Sequence, residues 1–168
     1  MTPDPLYEGD GWILRRARVE DGPALCAMFR DIHMKGALDI TQERDPDFFA
    51  LMRMHAADWD TWVVETEAGL GGSGTIIVRD GWIDGQKRRV AYLCDLRGVP
   101  GLRGGKIFPV VYRKTAEVAA REHGAEVFYT VVMGSNEVAI RALTGRKGER
   151  EQQPRARVMC PFRMTSVQ

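Results

Sequence analysis

Between Leu96 and Lys106 the chain reads LRGVPGLRGGK, and here residue types and spacing point to chemistry. Gly101, Gly104 and Gly105 permit positive φ and remove side chains that would block close approach of an anion. Arg103 and Lys106 bring positive charge into the same few residues. A helix-periodic apolar run starts at Ile107, with Pro109 in its first turn, where a missing N–H costs no helix bond. Backbone N–H groups at a helix start, beside glycines and cations, make a receptor for phosphate. Two familiar phosphate loops do not fit. A Walker A loop counted back from Gly105-Lys106 puts Pro100 at its first glycine and Ile107 after its lysine, and a G-x-G-x-x-G dinucleotide fingerprint matches in neither spacing nor position.

The elements that must hold this loop follow from periodicity. Trp12 to Arg18 reads as a first strand, and Asp21 and Pro23 open a helix with Leu25, Met28, Phe29 and Ile32 on one face. Asp45-Pro46 opens a second helix, with Phe48, Phe49, Leu51, Met52 and Met54 as its apolar residues. Thr61 to Thr66 and Gly74 to Val78 are β-rich runs joined by a glycine-rich Gly69 to Gly72 turn, a hairpin signature. Past Asp84-Gly85, Arg89 to Leu96 reads as a long strand that ends at the loop. Ile107 to His123 is the clearest helix, closed by Gly124 as C-terminal cap. Val127 to Val132 reads as a buried strand, Asn136 to Leu143 as a short helix and Val158 to Met164 as a last strand. Three strands in a row before a βαβ unit predict one α+β domain over residues 1–168, a mixed sheet flanked by helices.

Composition narrows the ligands. Lys and Arg number 24 against 23 Asp and Glu, so no global field holds nucleic acid or an anionic membrane, and an anionic ligand needs a local site. Cys26, Cys94 and Cys160 are far apart, as are His33, His55 and His123, so no metal site is expected. Widely spaced, unpaired cysteines fit a reduced, cytoplasmic chain, and Met1 to Gly11 is too polar for a signal peptide. No apolar run approaches the roughly 20 residues that span a bilayer.

The segment resembles the GNAT superfamily of acyl-CoA N-acyltransferases. There the fourth strand ends in a Leu-x-Val-x-Pro-x-x-Arg-Gly type of run that leads into a pyrophosphate loop and helix. Leu96, Pro100, Arg103 and Gly104 match that run, with Gly98 where valine is usual. Ala91 to Arg97 and Tyr129 to Val132 are similar to the corresponding stretches of a bacterial subgroup, and the likeness spans nearly the whole chain. It implies the GNAT fold, a mixed and mostly antiparallel sheet, and acetyl-CoA as co-substrate with no metal. Leu96, Arg97, Gly98, Arg103, Gly104, Gly105, Lys106, Ile107 and Asn136 are the positions it places against the cofactor. The acceptor it implies is a primary amine of a small molecule or peptide. Relatives pair through C-terminal strands, so Val158 to Met164 is the segment expected to form a homodimer.

Two departures stand out. The loop's later glycines fall on Lys106 and Phe108, and the tyrosine that many members carry seven residues after the asparagine is Leu143 here. Asp95, at the strand end, is the candidate base for an ammonium acceptor, directly or through a water, against an ordinary solvated or Arg-paired strand-end carboxylate. Tyr129 is the candidate acid in place of the missing tyrosine, against an ordinary core tyrosine. Asn136 suits a helix N-cap as well as a cofactor contact. Arg146, Lys147, Arg150, Arg155 and Arg157 suit a 3′-phosphate or acidic substrate, or a solvated loop. Trp59, Trp62, Phe48 and Phe49 suit an acceptor pocket or the core. The functional alternatives are an N-acetyltransferase and a non-catalytic acyl-CoA-binding domain of the same fold.

Overall fold

The computed structural model describes residues 5–33, 41–102, 107–144 and 156–161. Six strands form one sheet in chain order: β1 (Tyr7–Gly9), β2 (Trp12–Arg16), β3 (Asp58–Thr66), β4 (Gly69–Ile83), β5 (Gln86–Gly98) and β6 (Val127–Thr130). Neighbours are antiparallel except β5 and β6, which run parallel. A parallel pair needs a crossover, and α3 (Ile107–His123) supplies it. The other helices are α1 (Gly22–Asp31), α2 (Ala50–His55) and α4 (Glu137–Thr144).

Side-chain alternation along β3 separates two cores. Val63 joins Leu25, Cys26 and Phe29 of α1, together with Phe48 and Phe49, on one face of the sheet. Its neighbours Trp62 and Val64 join Leu14 and the α3 residues Ile107, Val111 and Val118 on the other. Farther along that second face, Ile76, Val78 and Ala91 pack on Ala119. The α3 helix has the bounds its periodicity predicts, and Gly124 follows at φ 68.

Several elements differ from the sequence expectation. The glycine run is strand, not turn: Thr66 pairs with Gly69, and Glu67-Ala68 makes the hairpin. Gly71 and Gly72 are needed for close approach. A Cβ on Gly71 would stand 2.2 Å from Leu102 Cδ1, and one on Gly72 would stand 3.1 Å from the Arg97 carbonyl oxygen. These glycines let β5 and the 3-10 turn at Pro100–Leu102 close down on β4. The second helix begins at Ala50 rather than at Asp45-Pro46, because Asp47 Oδ1 accepts the Phe49 N–H (3.0 Å) and turns the chain first. Asp21 does not cap α1 with its side chain; Arg15 takes that carboxylate at 2.7 and 3.0 Å. The β6 strand stops at Thr130, and it is not buried, since Tyr129 and Val131 reach solvent. Within the expected last strand, residues 158–161 carry no strand, and 162–164 lie outside the described residues.

Candidate active site

The end of β5 is built around an irregularity. Ser73 pairs with Arg97 and Thr75 with Cys94, so two residues, Asp95 and Leu96, face Gly74 alone. This is a β-bulge. Asp95 takes φ 55, a left-handed value that only a short polar side chain or glycine adopts readily. In an unbroken strand Asp95 would follow Ala91 and Leu93 onto the α3 face. The extra residue instead turns it toward the α1 face, where Arg44 lies against the rings of Phe29 and Phe48 at 5.6 and 5.4 Å.

The same stretch opens the sheet. Rungs between β5 and β6 run from Val90↔Val127 to Leu93↔Thr130 and stop, while β5 continues to Gly98. Val99 donates its N–H to the Gly71 carbonyl at 2.9 Å, so that side of the backbone faces β4. By alternation the backbone groups of Leu96 and Gly98 face the other way, into the gap beside β6. The chain then passes through Pro100–Leu102 toward the start of α3.

Asp95 and Arg44 form the buried polar centre on the α1 face. Arg44 Nη2 donates to Asp95 Oδ1 at 2.8 Å, with side chains 9% and 5% exposed. Arg44 Nη1 and Asp95 Oδ2 are buried without a hydrogen-bond partner among the described residues. The Ser73 hydroxyl donates to the Asp95 carbonyl at 3.2 Å, tying the bulge to β4. Burial pushes the neighbouring Cys94 thiol far above its ordinary range, and the Asp95 charge adds to the effect while Arg44 opposes it.

The other candidates are placed as follows. Tyr129 stacks on Tyr92 (centroids 4.9 Å apart), and its hydroxyl accepts from Arg79 Nη2 at 3.1 Å. These tyrosines pair across β5 and β6 one rung before the ladder ends. Leu96 is exposed at the gap. The Arg97 guanidinium lies 4.5 Å from the Phe29 ring and donates to Gln42 Oε1 at 3.3 Å, which puts its side chain on the α1 face, away from α3. Ile107 starts α3 and packs on the Leu14 and Trp62 core. Asn136 caps α4, its Oδ1 accepting the Ala139 N–H at 3.1 Å. Arg103, Gly104, Gly105 and Lys106 lie outside the described residues, as do Arg146, Lys147, Arg150 and Arg155.

The aromatic residues considered for a pocket do not converge. Phe48 and Phe49 belong to the α1 core and Trp62 to the α3 core, on opposite faces of the sheet. Sequence reasoning missed Arg44 and Gln42, whose partners Asp95 and Arg97 lie about fifty residues away in sequence, at separations of 51 and 55. Among the described residues no cluster of His, Cys, Asp and Glu is arranged to hold a metal, and no helix is long and apolar enough to cross a membrane.

No family model and no curated protein matches the chain. Solved structures do. An aminoglycoside acetyltransferase from an uncultured soil metagenomic sample, solved with trehalose, superposes with a TM-score of 0.65 at 17% identity over 94% of this chain and 97% of its own. A predicted acetyltransferase from Clostridium acetobutylicum, solved with acetyl-CoA, gives 0.55 at 16% identity over 82% and 92%. Glucosamine-6-phosphate N-acetyltransferase from Arabidopsis thaliana gives 0.56 at 13% identity over 91% and 99%. At these identities what is shared is the fold.

Proposed function

The chain has the GNAT-type acetyltransferase fold, and we propose that it transfers an acetyl group from acetyl-CoA to a primary amine of a small molecule. The observation that carries this reading is the opening at the end of β5, where a bulge at Asp95-Leu96 and the early end of the β6 ladder lie next to the start of α3. A splayed pair of strands offers backbone donors and acceptors to an extended amide-bearing arm, and a helix start with glycines and cations suits its phosphates. The fold neighbours include a structure with acetyl-CoA and enzymes named for aminoglycoside and aminosugar acceptors, which supports both halves of the reading. The free cysteines Cys26, Cys94 and Cys160 support a reducing, cytoplasmic setting.

In this reading the pantetheine arm lies in the gap against the backbone of Leu96 and Gly98. The sequence around Arg103, Gly104, Gly105, Lys106 and Ile107 holds the pyrophosphate. The amine lone pair attacks the thioester carbonyl carbon, and backbone N–H groups of the gap stabilise the oxyanion that forms, a contribution on the order of 3 kcal/mol. The C–S bond then breaks. Asp95, directly or through a water, takes the proton lost from nitrogen, and the Tyr129 hydroxyl gives a proton to the departing thiolate. Because Arg79 donates to Tyr129 Oη, the phenolic proton is left for such a transfer.

A second reading rests on Leu143, buried in α4 where many members of the resembled family carry their tyrosine acid. It makes the chain a binder of acyl-CoA without turnover. Free-thiol release from acetyl-CoA across a panel of small amines separates the two. Turnover with any acceptor supports the transferase, and none with all of them, while acetyl-CoA still binds, supports the binder.

A further inference from the structure

Ser73 stands among glycines in β4, with Gly71 and Gly72 before it and Gly74 after it. It is buried, and a buried hydroxyl is costly unless it is bonded, so alanine would fill the position better if packing were its only task. The bond it makes crosses the sheet: Ser73 Oγ donates to the Asp95 carbonyl at 3.2 Å. The backbone of the same residue pairs with Arg97. One residue of β4 therefore holds both neighbours of Leu96, inside the bulge where the ladder is interrupted.

The Asp95 carbonyl and the Leu96 N–H belong to one peptide group. That group is planar and trans, so its C=O and N–H point in opposite directions. A donor seated on the carbonyl therefore directs the Leu96 N–H away from Ser73, to the side where the β6 ladder has already ended. The bulge needs such a tie. Asp95 sits at φ 55, outside the strand region, and regular pairing does not resume between Ser73 and Thr75. Arg44 holds the Asp95 side chain at 2.8 Å and Ser73 holds its carbonyl, so the left-handed residue is anchored at both ends. A hydrogen bond accepted by the carbonyl also polarises the peptide and makes its N–H a stronger donor.

We infer that Ser73 is a positioning residue for the reaction, aiming the Leu96 N–H at the thioester oxygen of acetyl-CoA. The inference rests on the transferase reading and deepens it, because it names the side chain that orients one of the backbone donors in the gap. Ser73 itself touches neither cofactor nor acceptor. Its hydroxyl acts through the one peptide group between them.

Acetyl-CoA labelled with carbon-13 at the thioester carbonyl reports that contact through its isotope-edited infrared stretch, with no acceptor needed. Bound to the unaltered chain, the band should lie at lower frequency than in free acetyl-CoA, because an aimed donor weakens the C=O bond. In Ser73→Ala it should move back toward the free position while acetyl-CoA affinity holds. With an amine that the unaltered chain acetylates, kcat should fall on the order of tenfold, less than the roughly hundredfold cost of removing an oxyanion donor itself. Ser73→Cys keeps the shape with a much weaker donor and should move the band the same way, so the test survives a failure of the alanine variant to fold. A band at the wild-type position in a folded variant, or an unshifted band in the unaltered chain with acetyl-CoA bound, would overturn the inference. Absence of acetyl-CoA binding to the unaltered chain would instead sink the transferase reading, and the inference with it.

Discussion

Asp95, at φ 55 in the bulge of β5, receives a 2.8 Å hydrogen bond from Arg44, which comes from the segment just before α2. This one contact joins the bulge that opens the sheet to the residues that wall the α1 face. In the proposed transferase it ties the candidate base to the strand end that would hold the cofactor arm, and substitutions at Asp95 separate the two roles.

Asparagine tolerates left-handed φ, so Asp95→Asn keeps the bulge while removing the charge. The expected outcome is a fall in kcat on the order of a hundredfold with acetyl-CoA affinity unchanged. Urea denaturation should show a loss of about 3 kcal/mol, because Arg44 stays buried without its counter-ion. A variant with wild-type kcat would remove Asp95 from the proton path.

Tyr129→Phe keeps the ring against Tyr92 and removes only the hydroxyl that Arg79 meets. If that hydroxyl protonates the thiolate, kcat falls on the order of a hundredfold while KM for acetyl-CoA holds, the low end of general-acid contributions. Steady-state thiol release checks both constants, and an unchanged kcat assigns Tyr129 to packing.

How much of this was legible in the sequence depends on the range of the interaction. The α3 bounds, the Asp84-Gly85 turn between β4 and β5 and the Asn136 cap are local, and the residues at those positions settle them. The run Gly69 to Gly74 misled because glycine signals both a turn and a close approach. Here Gly71 and Gly72 make room for Leu102 and for the Arg97 carbonyl, contacts far along the sequence that no local pattern reveals. The bulge was hidden because an aspartate, not a glycine, takes the left-handed position. Arg44 was invisible as a site residue because its meaning comes from Asp95, 51 residues away in sequence. The short strand β1 carries only Tyr7–Gly9, too few residues for alternation to show.

Acid should reveal the second buried ion pair. Hydrogen bonding from Arg15 holds the Asp21 carboxyl below its ordinary value, with the Arg18 N–H helping against the cost of burial. A carboxyl whose folded pKa is depressed stabilises the chain fully above its unfolded value, near 4, and loses that contribution as pH falls through the lower folded value. Asp21→Asn should thus cost about 2 kcal/mol at pH 7, with the gap to wild type closing in strongly acidic solution. Denaturant melts at several pH values measure it, and a gap independent of pH would contradict the assignment.

The cysteines should differ in reactivity. Burial raises the thiols of Cys94 and Cys26, whereas Cys160 is exposed. Mass spectrometry after brief alkylation at neutral pH should find Cys160 modified, with Cys94 and Cys26 modified only after unfolding. Early labelling of Cys94 would mean that the end of β5 is open to solvent.

The most direct test is calorimetric titration with acetyl-CoA, on the wild-type chain and on Gly104→Val, which puts a β-branched side chain into the segment proposed to hold the phosphates. Saturable heat at one site, weakened at least about tenfold by the valine, is the predicted result. Absence of heat, with no thermal shift at millimolar ligand, or equal binding by the two chains, would contradict it.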